Sequence, residues 1–205
     1  MVFEHIKTYL EDLDPALISD DRRSKLNGFS SYIQEQLLSK GVVRLNFICT
    51  HNSRRSHFSH IWAHTAAVYF GLKGVECYSG GTEATAVYPQ VLKTLEQIGF
   101  KVIALSAGDN PVYGIRCGGG SLPVTSFSKK FDHPYNPDSE FAAIMTCAEA
   151  DEGCPFIPGA QFRFPFTFDD PKISDNTAAQ DRVYGERCFD IANEIFYVFS
   201  KIDLK

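Results

Sequence analysis

From Val42 onward the chain alternates short apolar runs with helical patterns, and this alternation narrows its possible folds more than any other feature. The β-type run 42–48 is followed by a helical pattern over 54–71, a strand over 75–79 and a helix over 87–98. A further strand is expected at 101–105 or 123–127, then one at 141–146, then a long helix from about 175 to 200. Strands that alternate with helices pair in parallel and carry the helices on both faces of the sheet. Ligands of such sheets gather beyond the carboxyl ends of the strands. Cys49, Ser79, Cys147 and Asp170 are all expected at that edge.

Residues 1–40 precede this pattern as a helical extension, leaving 41–205 as the domain that carries the chemistry. Phe3, Ile6, Leu10 and Leu13 recur at helical spacing, Asp14-Pro15 interrupts, and Leu26, Phe29, Ile33 and Leu37 mark a second amphipathic stretch before Gly41. Two short helices need a surface to cover, so packing on the domain is the favoured role and joining two chains the other. The stretch 106–138, rich in Gly, Pro and aromatic residues, reads as an insertion, either a lid or an exposed connection.

The first strand runs directly into Cys49-Thr50-His51-Asn52-Ser53-Arg54-Arg55-Ser56. A strand that ends in cysteine and turns into a helix aims successive N–H groups and the helix's positive end at one point, where a tetrahedral anion can sit. Arg55, six positions after Cys49, can return to that anion with a two-pronged set of donors. Ser53 and Ser56 can hydrogen-bond the thiolate or the anion, and the positive surroundings favour a thiolate at Cys49. Cys49 is thus the candidate nucleophile, and Thr50, His51, Asn52, Ser53, Arg54 and Ser56 are candidate oxyanion-binding residues beside Arg55. A structural cysteine at a strand end is the plain alternative.

Further along, Cys147 and Cys154 bracket the small, acidic segment 148–153, which is expected to be mobile and to let one thiol reach a neighbour. Two ordinary cysteines fit the same spacing. Asp170 precedes Pro171: it can protonate a leaving group, with Asp169 as fallback, or cap the following helix, and the two roles are compatible. Cys77 and Cys188 read as core packing, and Cys117 has no comparable context. His57, His60 and His64 share a helical face without a carboxylate or cysteine at matching spacing, so their expected effect is positive potential near the thiolate rather than a metal site.

The loop resembles that of the low-molecular-weight protein tyrosine phosphatases and of the thioredoxin-coupled arsenate reductases that share their fold. Tyr78-Ser79-Gly80-Gly81-Thr82, Tyr88-Pro89-Gln90-Val91-Leu92, Thr146-Cys147, Cys154-Pro155 and Phe168-Asp169-Asp170-Pro171 extend the resemblance, in order, over most of 42–200. It implies a four-stranded parallel sheet flanked by helices. It also implies that Cys49 attacks the oxyanion, that Arg55 holds it and that Asp170 donates a proton. In the reductase branch Cys147 would be the first resolving thiol and Cys154 the last, handing a disulfide to thioredoxin; a phosphatase would need only Cys49. Where the family usually has glycine this chain has His51, which must turn from the anion or help bind it, and which is expected to carry the backbone strain of a glycine position. Arg54 stands where cysteine is common. His60 stands where the reductases tend to have a glutamate linked to potassium, so no potassium requirement is carried over.

Arsenate reductase is the favoured reading, with phosphotyrosine phosphatase the alternative and a non-catalytic phosphate-sensing domain, suggested by His51 and Arg54, the third. No cofactor or metal is expected, and the substrates implied are arsenate, phosphate or phosphotyrosine. The net charge of −5 argues against a nucleic-acid surface. No apolar run is long enough for a membrane, no secretory leader is evident, and six cysteines around an activated one suit the reducing cytoplasm.

Overall fold

The computed structural model of the protein describes residues 1–153 and 156–204. Two N-terminal helices, α1 (Glu4–Glu11) and α2 (Asp20–Lys40), lead into β1 (Val43–Cys49), α3 (Arg55–Phe70), β2 (Val75–Gly81) and α4 (Pro89–Ile98). Three short strands follow, β3 (Lys101–Ala104), β4 (Tyr113–Arg116) and β5 (Val124–Ser126). The chain then forms β6 (Phe141–Met145), α5 (Ala148–Gly153), β7 (Ala160–Pro165), a 3-10 turn (Pro171–Ser174) and α6 (Gln180–Ser200).

The main sheet has four strands in the order β2-β1-β6-β7, and every pairing is parallel. Apolar strand residues such as Leu45, Phe47, Ile48, Ala142 and Ile144 are fully buried, as expected for a sheet covered on both faces. The fourth strand differs from the sequence expectation. Neither 101–105 nor 123–127 joins this sheet; β3 and β5 flank β4 in a separate antiparallel sheet. The parallel edge is instead β7, whose alternating Phe162 and Phe164 stack on Tyr32 and Phe29 of α2 at ring separations of 4.2 and 5.1 Å. The run is short and closes on Pro165, which hides it from a search for apolar stretches.

Residues 1–40 pack on their own chain. Ile6, Leu26, Phe29 and Ile33 are fully buried in the core that also holds Phe47, Trp62, Phe166 and Phe199. Tyr9 of α1 stacks on Trp62 at 5.5 Å. Burial of this kind contributes about 1.5–3 kcal/mol per large side chain.

The outer edge of β2 is covered by the insertion. Gly81 N–H donates to the Lys129 carbonyl at 2.9 Å, Phe131 N–H returns to the Gly81 carbonyl at 2.9 Å, and Asn136 Nδ2 donates to the Ser79 carbonyl at 3.0 Å. Gly81 has no room for a side chain, since a Cβ there would stand 2.3 Å from the Glu83 carbonyl oxygen and 2.7 Å from Asn52 N. Residues 129–136 of the segment are therefore fixed to the sheet edge.

Candidate functional site

Strand β1 delivers Cys49 as its last residue to the carboxyl edge of the sheet, between β2 and β6, and α3 begins at Arg55. The intervening loop is held by its carbonyls. Those of Cys49 and Thr50 accept from Thr82 N–H at 3.1 Å and Glu83 N–H at 2.8 Å, and that of Ser53 from Tyr88 N–H at 3.1 Å. The His51 carbonyl accepts from the hydroxyls of Thr85 and Ser128 at 3.2 and 3.0 Å, and the Asn52 carbonyl meets His57 Nε2 at 2.9 Å. Across a trans peptide the C=O and the next N–H point in opposite directions. With the carbonyls of residues 49–53 engaged by the surrounding elements, the N–H groups of residues 50–54 are turned toward the concave side of the loop.

That side is a cavity of about 10 Å³ lined by Cys49, His51, Ser53, Arg54, Arg55 and Asp170. Cys49 Sγ lies 3.1 Å from Ser56 Oγ, which itself accepts from Asn52 Nδ2 at 2.9 Å. Arg55 is 5% exposed and donates through Nη1 to the Phe168 carbonyl at 2.8 Å and through Nη2 to Asp170 Oδ2 at 2.6 Å. Asp170 also accepts from Lys172 N–H at 3.0 Å as cap of the 3-10 turn, so it caps a turn while it lines the cavity. A cavity of this size holds about one water. A tetrahedral oxyanion is larger than that, so one would fit here only with Arg55 parted from Asp170. Outside the pair lies a hollow of about 340 Å³ walled by Ala148, Glu149, Thr167, Phe168, Asp169 and Arg187 as well.

Several expected residues play different parts. Glycine-like strain does not fall on His51; Asn52 carries the positive φ, 44°. Asparagine tolerates that region because its short polar side chain bonds locally, and here it bridges Ser56 Oγ and Lys129 N–H. His51 lies half exposed on the cavity, 3.7 Å from Glu83. The Arg54 guanidinium is committed elsewhere, paired with Asp175, bonded to Tyr184 Oη at 2.5 Å and stacked 4.1 Å over Tyr88. What position 54 offers an anion is its backbone N–H. Asp169 is almost fully exposed, 3.6 Å from Arg187.

The histidines of α3 do not add positive potential. Burial pushes His57 down to about 3 and His60 well below its ordinary value, so both rings are neutral at neutral pH. They serve as struts: His57 meets the Asn52 carbonyl, and His60 bridges the Ser56 carbonyl and Ser126 Oγ, each at 3.1 Å. Among the described residues no cluster of three or more His, Cys, Asp or Glu side chains is gathered as for a metal ion.

Cys147 follows β6 and is fully buried, with its Sγ 3.5 Å from Thr50 Oγ1. It packs with Cys49, Ile48, Met145 and Ala150 in one cluster. Burial pushes its thiol up, against the downward pull of the Thr50 hydroxyl and of Arg55. Cys154 lies outside the described residues. The segment 148–153, expected to be mobile, forms the helix α5, for which alanines and acidic residues in the first turn are well suited. Cys188 accepts from Trp62 Nε1 in the core, and Cys77 sits within β2.

Lys129, Ser128, Asp175 and Tyr184 also build the site and were not singled out in the sequence, and Tyr88 was noted there only within a motif, without a role at the site. The first two sit in the insertion, where no motif marks them, whereas Tyr88 heads a recognisable Tyr-Pro helix start.

This sheet, with a cysteine-to-arginine loop closing its central strand, defines the chain as having the fold of the low-molecular-weight tyrosine phosphatases and arsenate reductases. A solved arsenate reductase in its phosphate-binding state matches with a TM-score of 0.50 at 17% identity, covering 79% of this chain and 100% of the other. A low-molecular-weight protein tyrosine phosphatase from T. tengcongensis matches with a TM-score of 0.51 at 15% identity, covering 78% and 99%. In sequence, arsenate reductase 2 of Staphylococcus epidermidis is 26% identical over 127 residues, 61% of this chain and 76% of the relative. An arsenate reductase from a second strain of that species is equally similar. No family model matches the chain. These relatives are enzymes, and no helix described here is long and apolar enough to cross a membrane.

Proposed function

We propose that this chain is a thiol-dependent arsenate reductase. The observation that carries the reading is the second buried thiol, Cys147, which packs in one cluster with Cys49 and touches the loop at Thr50. The 26% identity to staphylococcal arsenate reductases supports it. In this mechanism the loop N–H groups and Arg55 bind arsenate, and the Cys49 thiolate attacks arsenic while Asp170 protonates the oxygen that leaves as water. Cys147 Sγ then attacks Cys49 Sγ. The sulfur–arsenic bond breaks with its electron pair on arsenic, arsenite departs, and a Cys49–Cys147 disulfide remains. Cys154 attacks Cys147, frees Cys49 as thiolate, and leaves a Cys147–Cys154 disulfide for an external dithiol, for which thioredoxin is the candidate.

One observation favours a phosphatase. Beside Asp170 lies a broader hollow whose wall includes Ile173 and Val183, which suits the ring of an aryl phosphate. In that reading water hydrolyses a phosphocysteine and Cys147 is packing. The test is arsenate-dependent NADPH consumption by the reduced protein with thioredoxin and thioredoxin reductase, beside an aryl phosphate assay. Consumption lost in Cys49→Ser, Cys147→Ser and Cys154→Ser alike supports the reductase. Aryl phosphate turnover that needs only Cys49 makes the protein a phosphatase, and anion binding without either rate makes it a sensor.

A further inference from the structure

Lys129 is 2% exposed, and among the described residues its ammonium has no carboxylate partner. Its polar neighbours are Ser79 Oγ and the Phe127 carbonyl, both at 3.4 Å, with the rings of Phe127 and Tyr135 centred 4.5 and 5.4 Å away. Burying an unpaired ammonium is unfavourable, and a methionine would fill the same volume without that penalty. The location gives the charge a use. Lys129 N–H donates to Asn52 Oδ1 at 2.9 Å, and its carbonyl accepts from Gly81, so its backbone is part of the frame of the loop. Its side chain lies on the side of His57 and His60, and its charge disfavours protonation of both. It is not among the residues that line the cavity over Cys49, and so stands on the α3 side of the loop.

We propose that Lys129 is a positioning residue for the oxyanion site, an internal counter-charge behind the loop whose protonation and anion binding reinforce each other. This rests on the reading of the loop as an oxyanion cradle. Burial pulls the Lys129 ammonium down to about 7, so both forms are populated at neutral pH. An anion in front of the loop favours the charged form, and by linkage the charged form binds the anion more tightly. The groups around it do not supply a competing charge: His57 and His60 of α3 are neutral, and Ser79 of β2 and Tyr135 are uncharged polar neighbours. His133 stacks on Phe127 from the following turn. On the anion side, the charged and titratable groups are Cys49, His51, Arg54, Arg55 and Asp170, with Arg54 paired to Asp175.

The experiment is sulfate affinity from about pH 5.5 to 9, since the charge of sulfate is constant there. It compares Cys49→Ser, which removes the thiol, with Cys49→Ser/Lys129→Met and Cys49→Ser/Lys129→Gln. His51 is present in all three, so it drops out of their difference. Cys49→Ser should bind sulfate more weakly as pH rises through about 7. The Lys129 variants should bind about tenfold more weakly at pH 6, lack that step and converge with the parent near pH 9. Lys129→Met should also unfold at a higher temperature at pH 6, opposite to the loss that a structural lysine would cause. Parallel pH profiles, or lower melting temperatures in both Lys129 variants, overturn the inference and leave the cradle intact. Absence of sulfate binding by Cys49→Ser at every pH overturns the cradle reading and the inference with it.

Discussion

Asn52→Ala separates the architecture of the loop from its chemistry. Asn52 is fully buried at a φ of 44°, and its side chain donates to Ser56 Oγ and accepts from Lys129 N–H, both at 2.9 Å. Truncation strands the buried Lys129 N–H, at about 1–3 kcal/mol, and deletes a second hydrogen bond worth about 1 kcal/mol. An alanine held in the left-handed region adds about 1 kcal/mol. The sum, about 3–5 kcal/mol, is a large fraction of a typical domain's stability. With an m-value of about 2 kcal/mol/M, the urea midpoint should fall by about 1.5–2.5 M. Asn52→Gly loses both hydrogen bonds but not the backbone fit, and should recover about 1 kcal/mol relative to alanine. A loss below about 1 kcal/mol in Asn52→Ala, or a glycine variant no better than alanine, would refute the assignment of Asn52 as the keystone of the loop.

Asp170→Asn frees Arg55 from its 2.6 Å ion pair and removes a negative charge from the cavity wall, so sulfate should bind more tightly while turnover falls by about 10²–10⁴; calorimetry and steady-state kinetics read the two effects. Arg54→Leu leaves Asp175 and Tyr184 without their guanidinium and should cost about 2–4 kcal/mol in chemical denaturation, while sulfate affinity of the folded protein stays within about threefold. His57 is held down to about 3 when folded but binds its proton near pH 6.5 when unfolded. The unfolded chain thus takes up the proton first, and stability should fall as pH drops below about 6.5, by about 2–3 kcal/mol at pH 4.5 from His57, with His60 adding to the slope. Urea midpoints across that range should decline less steeply in His57→Asn.

The parallel sheet was legible because β1 and β6 are apolar runs, a pattern set by burial on both faces, and strands alternate with helices from β1 through α4. Strand β7 escaped because its order comes from aromatic residues facing α2, contacts 135 residues apart in Phe29–Phe164 and 130 apart in Tyr32–Phe162. The positions of Cys49, Arg55 and Ser56 followed from local geometry, as did the capping role of Asp170. Arg54 and the histidines were misread for one reason: a sequence shows that a side chain carries charge but not whether burial will neutralise it or a distant partner will claim it. Tyr184 lies 130 positions after Arg54, and the desolvation that keeps His57 neutral exists only once α3 is covered. The helix α5 was not read from the sequence, although alanines and carboxylates near a helix start favour one.

The insertion that crosses β2 also bears on how the chain survives its own folding. A parallel sheet exposes two rows of unsatisfied backbone groups at its margins, and an uncovered margin invites a second molecule to add itself. Here residues 129–136 occupy that margin at Ser79 and Gly81, and the same residues brace the anion loop through Asn52. Shortening the chain toward the dimensions of its smaller relatives would therefore open a sticky flank and slacken the loop in one stroke. Solubility and oxyanion affinity should be lost together in such a truncation, because one stretch of backbone guards both.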